Sequence, residues 1–232
     1  MVTMDTYRFN GRRVLVRVDF NVPLDENGRV TDDTRMVTAL PTIRKILADG
    51  GSVVVLTHLG RPRAAGFDEK LSVQRIRPHL EKILGQTVHV APYPFGDETL
   101  DRARTLKAGE VMMLENLRFH PGEEAADPEF AAFLASLGQT YVNNAFGTAH
   151  RAHASTFTIA AHFPYDRMFG YLVENEIRQI DRVLKNPARP FTAILGGSKV
   201  STKIHLIEAL LDRVDDLIIG GGTIFTFAAA RG

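Results

Sequence analysis

Short apolar runs rich in β-branched residues alternate with helical segments along the whole chain, and this alternation restricts the possible folds more than any other feature. Several runs are continuously apolar, which is typical of strands covered on both faces, as in a parallel sheet. Strands are predicted at residues 13–20, 52–59, 88–93, 111–117, 140–146, 191–197 and 217–222. Helices are predicted at residues 33–48, 72–84, 97–106, 128–137 and 201–211. The sequence therefore predicts an α/β fold with a doubly wound, mainly parallel sheet and helices on both of its faces.

A long amphipathic segment, YLVENEIRQIDRVLK, has no strand beside it and is followed by Asn186 and Pro187, which stop a helix. We interpret this segment as a connector between two domains. The prediction is an N-terminal domain at residues 1–170, an interdomain helix at 171–187 and the start of a second α/β domain at 188–232. Because the last part is too short to bury its own core, we expect the second domain to be incomplete. The alternative is that these residues add strands to the first sheet.

Composition excludes several classes of function. The 28 Lys and Arg residues against 27 Asp and Glu residues give a net charge of +1, which argues against a nucleic-acid partner. The absence of cysteine excludes disulfides, thiolate metal sites and cysteine nucleophiles, and it fits a cytoplasmic protein. No apolar run is long enough to span a membrane, and the N-terminus has no apolar signal segment. We therefore expect a cytoplasmic protein without a membrane partner.

Arginine and histidine side chains follow four of the predicted strands. Arg35 comes after the first strand, His58 and Arg61 after the second, Arg118 after the fourth and Arg151 after the fifth. Open α/β sheets bind ligands at the carboxyl ends of their strands. Converging guanidinium groups suit a phosphate or carboxylate, so the pattern predicts an anionic small-molecule site. Within that site His58 could act as a general base, contact a phosphate or have a structural role.

His150 and His153 are three residues apart, which raises the question of a metal site. No carboxylate or cysteine completes a ligand set nearby, and the spacing alone is weak evidence. We therefore predict no metal ligand among these residues.

A glycine-rich segment, LGGSKVSTK, lies between a predicted strand and a predicted helix. Glycines allow phosphates to approach the backbone, free N–H groups lie at the helix start, and two lysines add positive charge. The spacing matches neither the P-loop nor the dinucleotide fingerprint. The next strand ends in a second glycine run, at residues 220–222. Glycine triplets are often simple tight turns, but two such strand ends side by side favour a nucleotide cleft.

Six segments carry a family resemblance: RVLVRVDFNVP, THLGRP, LENLRFHPGEE, NNAFGTAHRAHAS, LGGSKVSTK and IIGGGTIFTF. In this order they resemble phosphoglycerate kinase, from about residue 11 to the last residue. The resemblance implies two α/β domains joined by a helix. The first would bind 3-phosphoglycerate or 1,3-bisphosphoglycerate, and the second ADP or ATP with Mg²⁺. It also implies a monomeric glycolytic enzyme that transfers a phosphoryl group between these ligands while a hinge closes the domains.

The resemblance also implies roles for individual residues. The implied substrate-binding residues are Asp19, Phe20, Asn21, Arg35, His58, Leu59, Gly60, Arg61, Arg118 and Arg151. The implied nucleotide-binding residues are Gly197, Ser198, Lys199, Lys203, Gly221 and Gly222. Arg35 and Lys203 are the implied catalytic residues, because Arg35 would stabilise charge on the transferring phosphoryl group and Lys203 would touch it. Asp19 and Asn21 would hold the hydroxyl and carboxylate region of the glycerate.

The chain also departs from the family pattern. Family members are close to twice as long, and the segments N-G-P-x-G and G-G-G-D-[ST] are missing here. The acidic residues that bind Mg²⁺ are expected in the missing part, so we predict that turnover of this chain alone is near background. Asn144 stands where the family usually has Asp, which removes a negative charge near the arginines.

Two other functions stay open at this stage. One is a relative that binds phosphoglycerate without catalysing its reaction. The other is an interaction protein whose uncovered edge after residue 188 pairs with another chain, because exposed sheet edges associate readily. Catalytic turnover separates the first of these from a kinase, and concentration-dependent association tests the second.

Overall fold

A computed structural model describes residues 2–93, 95–185, 187–197, 201 and 203–232. The chain forms two compact units, Met1–Glu176 and Ile177–Gly232. Among the described residues, no helix is both long enough and apolar enough to cross a membrane.

The first unit is built on a six-stranded sheet in which every pair of neighbouring strands is parallel. Its strands are β1 (Arg13–Arg17), β2 (Ser52–Leu56), β3 (Val88–Ala91), β4 (Val111–Leu114), β5 (Thr140–Asn143) and β6 (Arg167–Phe169). The strand order is β3-β4-β2-β1-β5-β6, so β2 and β1 lie at the centre. The predicted fold class, a mainly parallel α/β sheet, is therefore confirmed.

Helices connect the strands and cover both faces of this sheet. They are α1 (Thr34–Ala48), α2 (Arg77–Leu84), α3 (Asp97–Thr105) and α4 (Pro128–Ser136), and α5 (Tyr171–Lys185) follows β6. Consecutive residues of a strand point to opposite faces, so a buried strand needs apolar residues at every position. Val14 of β1 belongs to the core cluster that contains Ile43 of α1, whereas Leu15 belongs to the cluster that contains Leu134 of α4.

The strands of the sheet are shorter than the apolar runs that predict them. The first run is predicted to end at Phe20, but β1 ends at Arg17, and the apolar residues beyond it are buried in loops. The helix predicted at 72–84 is interrupted, because a short 3₁₀ turn at Val73–Arg75 precedes α2. Pro78 has no N–H and is tolerated in the first turn of a helix, which places the start of α2 close to it. Strand β6 was not predicted, because three residues with one buried side chain give no periodic signal.

The second unit contains a parallel pair of strands, β7 (Thr192–Gly196) and β8 (Asp216–Gly220), which forms a sheet of its own. Each strand is followed by a helix, α6 (Ile204–Leu211) and α7 (Thr223–Arg231). Neither strand contains a buried residue, and Ile194 and Phe225 are 73% and 77% exposed. The apolar face of this small sheet is therefore largely open to solvent.

Candidate anion-binding site

Four loops follow the carboxyl ends of the four adjacent strands β4, β2, β1 and β5, and hydrogen bonds or close contacts join each loop to the next. Arg118 after β4 donates from Nη1 to the carbonyl oxygen of Gly60 after β2, at 2.8 Å. Gly60 in turn donates its N–H to Oδ1 of Asn21 after β1, at 2.7 Å. Gly147 after β5 lies so close to Asp19 that a Cβ there would be 3.0 Å from Oδ2. We call this continuous surface the four-loop site.

The β1 loop positions Arg35, which stands at the start of α1. Arg35 Nη1 donates to Asp19 Oδ2 at 3.0 Å and to the carbonyl oxygen of Asn21 at 3.1 Å. The side chain of Arg35 is still 53% exposed, so donors of its guanidinium remain accessible to a ligand. Asp19 and Asn21 therefore lie beside Arg35, as the resemblance implies.

The β2 loop depends on Gly60. Its φ of +62° is a conformation that side-chain-bearing residues rarely adopt, and a Cβ would overlap Leu71. Asn116 supports the same loop, because its Nδ2 donates to the carbonyl oxygens of Leu59 at 2.7 Å and of Leu71 at 2.9 Å. The backbone of the loop is thus fixed from both sides, which leaves the following Arg61 exposed at the site.

Arg118 is the most deeply buried of the predicted site arginines, with only 8% of its surface exposed. Burial lowers the pKa of its guanidinium; Glu124 opposes that shift, and the positive charges of Arg151, Arg17 and Arg61 add to it. These influences show that several cations are crowded around Arg118. The carboxylate of Glu124, whose Oε1 is 3.1 Å from Arg118 Nε, is the anion that faces them.

Arg61 and Arg151 carry the least compensated charges of the four-loop site. Within the described part of the chain, neither guanidinium has an ion pair. Both lower the pKa of Arg118, so they lie within electrostatic reach of it. An incoming phosphate or carboxylate would relieve the mutual repulsion of these cations.

His58 is buried beneath the arginines, and its environment keeps it neutral. Burial lowers the pKa of its imidazole to about 2, and Arg17, Arg118 and Arg151 contribute to the shift. Arg17 Nη2 lies 3.2 Å from His58 Nδ1. Because a guanidinium only donates, Nδ1 must accept and the proton must lie on Nε2. This environment favours the structural interpretation of His58 over a general base.

We expect His58 to remain a neutral Nε2–H imidazole at pH 5, where an ordinary histidine is mostly charged. The folded chain holds it neutral down to about pH 2, whereas the unfolded chain protonates it near the ordinary value of 6.5. Below pH 6.5 the unfolded state therefore binds more protons than the folded state. The contribution of His58 to the free energy of unfolding is for this reason highest above that pH and decreases as the pH falls below it. Ring ¹⁵N shifts at pH 5 measure the tautomer directly. Imidazolium shifts for His58 at that pH would contradict this description.

A buried polar network beneath the site was missed by the sequence analysis. Arg17 Nε donates to Ser155 Oγ at 2.8 Å, and Ser155 Oγ donates to Glu123 Oε1 at 2.6 Å. The N–H of Ser155 donates to Glu123 Oε2 at 3.0 Å, so this carboxylate holds the end of the loop that carries Arg151. Arg17 is 1% and Glu123 0% exposed. The sequence does contain one signal for this network: Arg17 stands inside the apolar run RVLVRVDF, and a buried cation needs hydrogen-bond partners.

The two histidines considered for a metal site have different surroundings. His150 is exposed, whereas His153 is nearly buried, with Nδ1 3.9 Å from Glu123 Oε1. Among the described residues, no three histidine, aspartate or glutamate side chains are grouped so that they could hold a metal ion. Burial lowers the pKa of His153 despite the nearby carboxylates, which keeps its imidazole neutral at pH 7.

Asn144 contacts the start of α5 rather than an arginine side chain. Its Oδ1 accepts from the N–H of Leu172 at 3.0 Å, and a Cβ on Gly170 would overlap the same amide group. Its Nδ2 is buried without a partner among the described residues. Asn144 therefore satisfies a free N–H in the first turn of α5, which an aspartate could also do.

Two residues of the predicted substrate set have buried side chains. Phe20 and Leu59 are 0% and 2% exposed and belong to the apolar core. The N–H of Phe20 is also occupied, because it donates to Thr57 Oγ1 at 3.0 Å. Any contact of these two residues with a ligand would therefore come from backbone groups other than the Phe20 N–H, or from the shape of their loops.

In the second unit, the glycine-rich ends of β7 and β8 approach each other closely. A Cβ on Gly221 would be 3.1 Å from the backbone N and O of Gly197, so a side chain would push the two loops apart. Lys203 Nζ donates to the carbonyl oxygen of Gly196, beside Gly197. Gly222 directly precedes α7. Ser198 and Lys199, which belong to the predicted nucleotide set, lie outside the described residues.

The parallel sheet with arginines at its carboxyl edge defines an α/β protein with a candidate site for a small anion. The sequence profile described as phosphoglycerate kinase matches residues 4–232. A phosphoglycerate kinase from Porphyromonas gingivalis is 49% identical over 255 aligned residues, covering 100% of this chain and 60% of that protein. One from Chloroherpeton thalassium is 51% identical over 230 residues, covering 99% and 57%. The solved structure of phosphoglycerate kinase from Coxiella burnetii has a TM-score of 0.87 at 39% identity, covering 100% and 57%.

The chain therefore belongs to the phosphoglycerate kinase family, which confirms the resemblance of its motifs. It spans 57% to 60% of the length of the curated relatives just described.

Proposed function

We propose that this chain supplies the phosphoglycerate-binding part of a phosphoglycerate kinase, which transfers a phosphoryl group reversibly between 1,3-bisphosphoglycerate and ADP. The observation that supports this most directly is the four-loop site, where Arg35, Arg61, Arg118 and Arg151 follow four adjacent strands. A three-carbon acid that carries a phosphate and a carboxylate offers two anionic groups to such a cluster. We propose residues 1–170 as this binding domain, 171–187 as the interdomain helix and 188–232 as the start of a nucleotide-binding domain. The family further suggests a cytoplasmic monomer.

The chemistry of the reaction suits these residues. Phosphoryl transfer depends mainly on positioning and on neutralising charge, and a substrate carboxylate is already ionised and needs no general base. Arg118, Arg61 and Arg151 would bind the non-transferred phosphate, while Asn21 and Asp19 would orient the glycerate. Arg35 would stabilise charge on the phosphoryl group as it moves. A neutral, buried His58 is compatible with this arrangement, because no proton has to be removed.

We further propose that the glycine-rich ends of β7 and β8 receive the nucleotide phosphates, with Lys203 beside the transferred group. Mg²⁺ would accompany the nucleotide and neutralise phosphate charge. The described residues of this unit do not fit a Mg²⁺ site there, because no three of their acidic or histidine side chains are grouped and because Asp215 and Asp216 lie at the amino end of β8. Asp215 is also paired with Arg189, at 2.8 Å. We assign no step of the reaction to the metal.

Titration of 3-phosphoglycerate into the chain, followed by its heat, tests the binding proposal. The phosphate should dominate recognition, so D-glycerate, which lacks the phosphate, should bind at least about tenfold more weakly. A difference of this size corresponds to the loss of one strong charge-assisted hydrogen bond. Affinity should also fall as salt is added, since the cations are only partly buried. Equal binding of both ligands would contradict a phosphate site formed by these arginines.

The alternative is a relative that binds phosphoglycerate without turning it over. A coupled assay of ATP formation from 1,3-bisphosphoglycerate separates the two functions. We expect the 232-residue chain to give turnover near background. Clear ATP formation would overturn both that prediction and the non-catalytic alternative.

Glu124 is expected to compete with the substrate for Arg118. Its carboxylate is 3.1 Å from Arg118 Nε and its side chain is 60% exposed, so it can swing away when an anion arrives. Glu124→Gln should therefore raise the affinity for 3-phosphoglycerate about threefold, which corresponds to one partly screened ion pair. The matched control is Glu129→Gln, which removes the same charge from the first turn of α4. A lower affinity in Glu124→Gln would mean that this carboxylate supports binding instead.

A further inference from the structure

A second basic cleft lies between the turn at residues 27–30 and helix α2, in the first unit. Its volume is about 700 Å³, and none of its lining residues belongs to the four-loop site. Its positively charged or titratable side chains are Arg29, Arg75, His79 and Lys82. We call it the α2 cleft.

Most of the positive charge in the α2 cleft is uncompensated. His79 Nε2 is 2.8 Å from Asp33 Oδ2, so this side chain already has an anionic partner. Arg29, Arg75 and Lys82 have no ion pair with any described residue. Three cations thus line one open cleft, and the carboxylate beside it, that of Asp33, is paired with His79.

Two carboxylates close to the α2 cleft in sequence are held by hydrogen bonds to backbone N–H groups. Asp25 Oδ1 accepts the N–H groups of Asn27 at 2.9 Å and Arg29 at 2.8 Å, which ties its side chain to the turn. Glu81 Oε1 accepts from the N–H of Val88 at 3.0 Å, beyond the carboxyl end of α2. Neither carboxylate forms an ion pair with Arg75 or Lys82.

Arg75 is held in place although its charge is unpaired. Its guanidinium lies against Gly28, where a Cβ would overlap it and where φ is +77°. The Nε of Arg75 is buried and has no hydrogen-bond partner among the described residues. Because Gly28 covers this Nε, a ligand would interact with the unpaired charge of the guanidinium rather than with Nε itself. The absence of a side chain at Gly28 thus leaves room for the guanidinium of Arg75.

We propose that the α2 cleft binds a polyphosphate anion, independently of the phosphoglycerate bound at the four-loop site. Three cations match a ligand that carries several charges in a row better than they match a single carboxylate. Arg75 would supply a positive charge held in a fixed place, and Lys82 and Arg29 would follow the ligand from the two rims. The same phosphate chemistry is present in free inorganic polyphosphate and in the tail of a nucleoside triphosphate.

Inorganic tripolyphosphate is the probe for this site, and the full 232-residue chain is titrated by ¹H–¹⁵N NMR. The amide of Gly28 and the Nε–H of Arg75 report the α2 cleft, while the amides of Gly60 and Arg118 report the four-loop site. We expect saturable shifts of Gly28 and Arg75. Lys82→Gln and Arg75→Gln should each weaken the affinity measured at Gly28 about threefold or more, as expected for one partly exposed charge.

Two controls separate specific binding from general attraction. Lys107→Gln removes one exposed positive charge that lies outside the α2 cleft, and it should leave the affinity at Gly28 unchanged. Arg118→Gln should weaken the shifts at Gly60 while leaving those at Gly28 intact. Unshifted Gly28 and Arg75 signals, or equal weakening by Lys107→Gln and Lys82→Gln, would overturn the proposal.

A second titration, with ATP at the same ionic strength, distinguishes the two sources of phosphate. Equal affinities at Gly28 would show that the phosphate chain alone is recognised, and tighter ATP binding would add a contact to the nucleoside. Both results support a polyphosphate site. Weaker ATP binding by more than tenfold would contradict it, because the triphosphate itself is shared.

Discussion

Replacing Glu123 with alanine is expected to lower the free energy of unfolding by about 3–5 kcal/mol, the usual cost of removing one partner from a buried charged network. Glu123 is 0% exposed and accepts both the N–H and the hydroxyl of Ser155. Its loss would leave the N–H of Ser155 buried without a partner. It would also leave the buried guanidinium of Arg17 without the carboxylate at the other end of its hydrogen-bonded chain.

The neighbouring residue supplies a matched control. Glu124 has the same side chain but is 60% exposed, so Glu124→Ala should change the free energy of unfolding by less than about 1 kcal/mol. Urea unfolding of both variants at pH 7 gives the comparison directly. If Glu123→Ala were no less stable than Glu124→Ala, the buried network would not be holding the loop that carries Arg151.

Arg118→Gln is expected to reduce the affinity for 3-phosphoglycerate by about tenfold to a hundredfold, since a hydrogen bond to a charged group contributes about 1.5–3 kcal/mol. Arg118 is nearly buried and surrounded by other cations, so an anion bound there is poorly screened by water. Glutamine keeps a donor for the carbonyl oxygen of Gly60 but removes the charge. Titration calorimetry at low salt measures the change.

The control for this variant is Arg102→Gln, which removes a half-exposed arginine of α3 whose only ion partner among the described residues is Glu98. It should bind 3-phosphoglycerate like the unchanged chain. A thermal unfolding curve for Arg118→Gln shows that weaker binding does not come from loss of the fold. Unchanged affinity in a folded Arg118→Gln chain would remove this residue from the site.

The sequence predicted the sheet because its strands are buried on both faces and therefore continuously apolar. Val53, Val54 and Val55 of β2 show this directly, since all three are 0% exposed although they face opposite layers. The sequence pattern did not predict β6, because Met168 is the only buried residue of that strand. It also extended β1 into Val18 and Phe20, which are apolar for a different reason: they anchor the loop that carries Asp19 and Asn21.

For the candidate site, the sequence could locate the arginines but not their connections. Arg118 and Arg35 were found because residues after parallel strands meet at one edge. The bond between Arg17 and Ser155 joins residues 138 positions apart, and no local pattern announces such a pair. The neutral state of His58 likewise depends on burial and on three arginines from separate segments, so it required the folded structure.

The most direct test of the proposed phosphoglycerate site is a crystal structure of this chain grown with 3-phosphoglycerate. We expect the phosphate to lie within hydrogen-bond distance of the Arg118 guanidinium, with Glu124 displaced from Nε, and the carboxylate end to lie beside Arg35 and Asn21. Ligand density at another place on the chain, with the Arg118–Glu124 pair intact, would contradict the assignment of the four-loop site.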